Sequence, residues 1–174
     1  MQVALQDPNV ADPAAPFVIS HTFDAPRDIV WKAFTEPERL NRWWGPKGFP
    51  VATSKMDLRP GGTYHYAMSV PGGGLRWGKF VYREIVALER IVFVNGFSDE
   101  TGGTTRHPMV PEWPLEVLSV FTFTEHGGRT TFTLHWTPIN ATAEECAMFD
   151  SARDGMTAGW SGTLEQLEAH LAEA

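Results

Sequence analysis

Residues 155–171 read GMTAGWSGTLEQLEAHL. Met156, Trp160, Leu164, Leu167 and Leu171 recur at three- and four-residue spacing, which lays them along one face of a helix. The stripe begins upstream at Phe149 and Ala152, and Thr142-Ala143-Glu144-Glu145 has the form of a capping box. One continuous helix is therefore expected from about Thr142 to Leu171. Gly155, Gly159 and Gly162 interrupt it, each at a cost of about 1 kcal/mol relative to alanine in a helix interior. Glycines there let another backbone, or a bound molecule, approach closely. The Leu164, Leu167 and Leu171 end reads as plain core. The Met156–Trp160 part, beside Gly155 and Gly159, reads as facing the widest part of a cavity.

Upstream of this helix the apolar period falls to two. Phe17, Ile19, His21 and Phe23 alternate with Val18, Ser20 and Thr22, as in a strand. Pro26 suits a helix start, and Ile29, Val30, Ala33 and Phe34 follow at helical spacing. Thr35-Glu36-Pro37-Glu38 places Thr35 and Glu38 at capping-box separation, predicting a second short helix that presents Leu40 and Trp43. Strands are expected over 51–58, 63–69, 77–86, 91–97, 116–125 and 130–137, joined by turns such as Pro60-Gly61-Gly62 and Pro71-Gly72-Gly73-Gly74. Six consecutive strands with short turns make an antiparallel meander, and the first strand returns to pair with it. A seven-stranded sheet of that kind twists and curls, and the long helix fills its concave side. The fold class is thus α+β.

The segment 98–114 has seventeen residues, with three Pro and two Gly. A loop of that length is a lid over the site or a surface insertion. Residues 1–16, rich in Ala, Pro and Asp, read as an extended arm ahead of one domain over 17–174, and as a candidate dimerisation element.

Composition narrows the function classes. The net charge is −7 and there is no basic run, which disfavours nucleic acid. Nothing approaches ~20 consecutive apolar residues, so no membrane span is expected. The first residues lack the basic start of a signal peptide, and the only cysteine is Cys146, so a cytoplasmic location is expected. Aromatic residues reach 12%, with seven Trp and eleven Phe; a core uses some of them, and large rigid rings are also what line apolar pockets.

Several motifs carry a family resemblance: Thr22-Phe23-Asp24-Ala25-Pro26, Val30-Trp31, Thr35-Glu36-Pro37-Glu38 with Trp43-Trp44-Gly45-Pro46, Pro60-Gly61-Gly62, Tyr82-Arg83-Glu84-Ile85, Glu89-Arg90-Ile91 and Gly159-Trp160-Ser161-Gly162-Thr163-Leu164. In order and spacing, from about Phe17 to Leu171, they resemble the START-like (SRPBCC, Bet v 1-like) superfamily. Within it they resemble the branch named for homology to the activator of heat-shock protein 90 ATPase. The resemblance implies a helix-grip fold and often a cavity for a small apolar molecule. The arm and the 98–114 segment depart from the pattern.

No catalytic signature is found. The six histidines have no metal-ligand spacing, so neither a metal nor a cofactor is expected. The glycine runs lack the Lys-Ser/Thr of a phosphate loop. Cys146 lies in a helix first turn without a histidine partner. His21 reads as a core histidine or a ligand contact, whereas His65 and His135 lie on outward faces. Glu84 shares a strand face with Phe80 and Tyr82. It is either a carboxylate raised in pKa inside the cavity or a structural acid at the strand end.

The expected ligand-binding residues are Trp43, Tyr64, Tyr66, Met68, Phe80, Tyr82, Glu84, Phe97, Phe121, Trp136, Met156 and Trp160. Binding of a small hydrophobic molecule leads the functional expectations. A cyclase- or hydrolase-type enzyme using Glu84 comes second. A co-chaperone-like interaction module, with an exposed apolar patch and a chaperone as partner, comes third.

Overall fold

Strand β1 (Phe17–Phe23) buries Phe17 and Phe23 and pairs antiparallel with β8 (Arg129–Pro138). A computed structural model describes residues 15–173, so nearly all of the expected arm lies outside the described residues. Helices α1 (Arg27–Thr35) and α2 (Pro37–Trp43) follow β1, as the apolar spacing predicts. The expected Thr35–Glu38 box does not form. Glu36 takes the N-cap position with no side-chain cap, and the Thr35 hydroxyl instead donates back to the Trp31 carbonyl. Pro37 at the start of α2 removes one N–H that a cap would have had to satisfy.

The meander consists of β2 (Val51–Met56), β3 (Thr63–Ser69), β4 (Leu75–Val86), β5 (Arg90–Ser98), β7 (Val117–His126) and β8. The sheet runs β1-β8-β7-β5-β4-β3-β2, curved and unclosed, with every pairing antiparallel. It holds one strand more than expected. Within the 98–114 segment, β6 (Thr104–Thr105) folds back on the end of β5, with Phe97 opposite Thr105 and Ser98 opposite Thr104. Two residues are too few to leave a period in the sequence.

The C-terminal helix is broken. Helix α3 (Ala143–Ser151) and helix α4 (Arg153–Ala172) meet at Ala152, whose backbone angles are φ −93° and ψ 1°. The capping box is present at Thr142 and Glu145. Ser151 donates its hydroxyl to the Met148 carbonyl at 2.8 Å, a back-bond that bends helices. Apolar spacing continues across the joint, which is why the sequence reads as one helix.

The core lies between the concave face of the sheet and α1, α2 and α4. Phe34 is its aromatic centre, with ring centroids 4.7–5.3 Å from Trp43, Phe121, Phe123 and Phe132. Leu164 and Leu167 of α4 are fully packed, and Leu171 is half-buried. This is the helix-grip arrangement.

Candidate functional site

Toward the N-terminal end of α4 the packing stops. A cavity of about 610 Å³ lies there between the sheet and α4. The floor is sheet: Tyr66 and Met68 of β3, Arg76 and Gly78 of β4, Asn95 and Phe97 of β5, and Trp136 of β8. The roof is helix: Met148 and Ser151 of α3, then Gly155, Met156, Gly159, Trp160 and Thr163 of α4. One side is the Trp44-Gly45-Pro46 turn, and the other is the 98–114 segment through His107, Val110 and Trp113.

Side-chain size makes the space. At Gly155 and Gly159 an added Cβ would meet no protein atom within 4 Å. Their helix cost is therefore not offset by close backbone packing. Gly78 acts differently: a Cβ there would stand 2.6 Å from the Tyr66 hydroxyl, so its lack of a side chain seats that ring on the floor.

Trp44 forms the wall beside α4. Helix α2 ends at Trp43, and Trp44 takes an extended conformation, so the two indoles point to different places. Trp43 is buried in the core, its indole N–H donating to the Ala33 carbonyl at 3.0 Å. Trp44 lies edge-on to Phe80 and Trp160, at 4.9 and 5.5 Å between centroids. Helix α4 grips this turn. Thr163 Oγ1 lies 3.1 Å from the Gly45 carbonyl, Gln166 donates to the same carbonyl at 2.7 Å, and Lys47 pairs with Glu165 at 2.6 Å.

Of the residues expected around a ligand, Tyr66, Met68, Phe97, Trp136, Met156 and Trp160 line the cavity. Trp43, Tyr64, Phe80, Tyr82 and Phe121 are buried in the core and are not among its lining residues. The Tyr64 hydroxyl donates to Asn41 Oδ1 at 2.6 Å. Burial, followed by neighbouring Tyr66 and Tyr82, pushes its phenol far above the ordinary tyrosine range. Burial likewise raises Tyr66, to about 12, with the Trp44 side chain opposing.

Glu84 is not in the cavity. A β-bulge between Tyr82 and Glu84 breaks the alternation, so Arg83 and Glu84 are both exposed, and Glu84 pairs with Arg90. The acid that a proton-transfer reading required is therefore at the surface. His21 faces α4 instead, with Nε2 3.6 Å from Glu168.

Trp44, Arg76, Asn95, His107 and Trp113 belong to the cavity wall without having been singled out from sequence. Arg76 could have been found, since it shares the period-two face of Gly78 and Phe80. Among the described residues, no Asp or Glu lines the cavity, and no group of three or more His, Cys, Asp or Glu is placed to hold a metal ion. No described helix is long and apolar enough to cross a membrane. The walls suit an apolar molecule with a few polar groups.

The sequence profile of the activator of Hsp90 ATPase homolog 1-like proteins matches residues 24–172. The chain belongs to this family. Solved structures agree with the family fold. A protein of Arthrobacter aurescens is 30% identical with a TM-score of 0.76, over 92% of this chain and 88% of its own. A Mycobacterium smegmatis protein is 28% identical with a TM-score of 0.71, over 91% and 94%. An AHSA1 protein of Silicibacter pomeroyi, at 19% identity and a TM-score of 0.69 over 91% and 98%, shares the fold. No functionally curated protein matches the sequence. Residues 1–23 precede the family match, whereas the 98–114 segment lies inside it.

Proposed function

We propose that this family member holds a small, largely apolar molecule between its sheet and helix α4. One observation carries the reading: a cavity of about 610 Å³ walled by aromatic and Met side chains, roofed by two glycines beside which the space is empty. A helix that only closed a core would gain stability from alanine at both positions. Cavities of roughly 300–1,000 Å³ with apolar walls and few polar groups are typical of small-molecule sites.

The test is a thermal-shift screen of the full chain against hydrophobic compounds, repeated on Gly159→Phe, whose ring would occupy the space. A ligand present at 100 times its Kd stabilises the folded state by about 2.7 kcal/mol. In a chain of this size that raises Tm by roughly 5–10 °C. The expected result is a shift of this order in the native protein and none in a folded Gly159→Phe variant. If no compound shifts the native protein, or the variant keeps the full shift, the reading is wrong.

A further inference from the structure

Among the described residues, the cavity wall carries one permanent charge, and it is positive. The chain has 21 acidic residues against 14 Lys and Arg, yet of the described residues that line the cavity only Arg76 is ionised. Arg76 stands on the inner face of β4, opposite Met68 and two residues before Gly78. Its guanidinium lies 5.6 Å over the Phe49 ring, and among the described residues Nη2 reaches only the Met109 sulfur, at 4.0 Å. Among the described residues, no carboxylate comes within ion-pair distance of it. A planar fork of five N–H donors is thus held half-buried between a ring and a thioether, with no oxygen acceptor among the described residues.

A second donor lies in the same wall. His107 Nδ1 accepts the backbone N–H groups of Met109 and Val110, at 3.0 and 3.1 Å. A ring that accepts at Nδ1 is neutral and carries its proton on Nε2. Partial burial, and then Arg76, hold this imidazole below the ordinary histidine range, which keeps it in that form. Asn95 adds another donor to the wall: its Oδ1 accepts from Ser119 at 2.6 Å, leaving its amide N–H groups to donate.

We infer that the ligand is an amphipathic monocarboxylic acid, its apolar body in the cavity and its carboxylate on the Arg76 fork, with His107 Nε2–H as a second donor. This rests on the cavity reading under Proposed function and adds the chemical class. Arginine and carboxylate match in geometry and form paired, charge-assisted hydrogen bonds. A single cation balances a single negative charge. A dianion would keep a surplus charge beside a chain of net charge −7. An amine would meet a like charge and no acceptor carboxylate.

The experiment is isothermal titration of the full chain with decanoic acid, 1-decanol and decylamine at neutral pH, which share a tail and differ in the head group. The acid is expected to bind at least tenfold more tightly than the alcohol, a difference of about 1.4 kcal/mol. The amine is expected to bind most weakly. Arg76→Gln is expected to bring the acid to the affinity of the alcohol and to leave the alcohol within twofold. Equal binding of acid and alcohol by the native protein overturns the head-group assignment while leaving the cavity reading intact. So does an acid preference that survives Arg76→Gln. If none of the three binds, the cavity reading itself has failed, and this inference with it. The comparison within the native protein decides the matter even where the variant does not fold.

Discussion

Gly45 follows Trp44, the C-cap residue of α2, and stands at φ +97°, in the left-handed region that glycine alone enters without strain. A Cβ added there would lie 2.7 Å from Met68 Sδ and 3.2 Å from the Phe49 carbonyl. Gly45→Ala is therefore expected to lose about 1–3 kcal/mol in a urea titration, with the Trp44 wall disturbed as well. A stability unchanged within error would mean that the turn is not held as described. At this scale the sequence is legible where side chains alternate and illegible where backbone irregularity intervenes. Tyr66, Met68, Trp136, Met156 and Trp160 lie on the cavity side because strand and helix periods put them there. Glu84 fails by a single inserted residue: one bulge turns it outward, and nothing in Tyr82-Arg83-Glu84-Ile85 marks the bulge. Trp43 and Trp44 exchange roles for a similar reason. A helix ending one residue earlier or later decides which indole meets the core, and helix ends are not resolved that finely by sequence.

Helix α4 has two halves with opposite demands. Its Leu164–Leu167 half closes the core, and its Gly155–Gly159 half keeps space open, a division that apolar spacing and glycine placement already show in the sequence. Alanine at Gly155 or Gly159 meets no protein atom and raises helix propensity. Each substitution is expected to stabilise the chain by roughly 0.5–1 kcal/mol in urea titrations while weakening the ligand's thermal shift, because both glycines line the cavity. Opposite signs for the two measurements are the diagnostic outcome. Loss of stability in both variants would show that the glycines serve packing. The 98–114 segment was legible only as a long irregular stretch, since a two-residue strand and a single ion pair leave no pattern. Arg106 joins it to the start of α3 through Glu145 Oε1 at 2.7 Å, while the same carboxylate accepts the Thr142 N–H in the capping box. Arg106→Ala is expected to speed amide exchange in residues 98–114 and to leave β8 unchanged. Its cost in global stability is expected to be about 1–3 kcal/mol, because the arginine is half exposed but the Glu145 carboxylate it leaves behind is buried, with the Thr142 N–H of the capping box as its remaining partner among the described residues. Exchange in 98–114 that stays at the native rate would show that this pair does not secure the segment.

Across the whole molecule, the element order, the antiparallel meander and the return of β1 to β8 follow from period-two and period-3.6 patterning, because each pattern has one face to bury. The cavity is harder to foresee, since it is the volume left when large and small side chains oppose one another. That same burial sets the pH response. All three tyrosines, Tyr64, Tyr66 and Tyr82, point into the sheet–helix interior, and desolvation raises each phenol, Tyr66 to about 12 and the other two further. In the unfolded chain a tyrosine titrates near 10. Above that pH the unfolded chain has released protons that the folded one still holds, so stability falls as pH rises, by up to ~1.4 kcal/mol per pH unit for each tyrosine. On the acid side, partial burial lowers His107 and His170, the first aided by Arg76 and the second by Arg42 and Arg39. Below about pH 6.5 the unfolded chain takes up protons that these folded imidazoles refuse, so stability falls as pH falls. The expected profile of Tm against pH is a plateau between about 6.5 and 10, with the steeper decline on the alkaline side. Absorbance at 295 nm should show no phenolate until the chain unfolds, and then all three tyrosines in one cooperative step that coincides with loss of the far-ultraviolet circular dichroism. A gradual ionisation centred near pH 10 in the folded protein would place at least one tyrosine in water and contradict the packed floor on which the cavity rests.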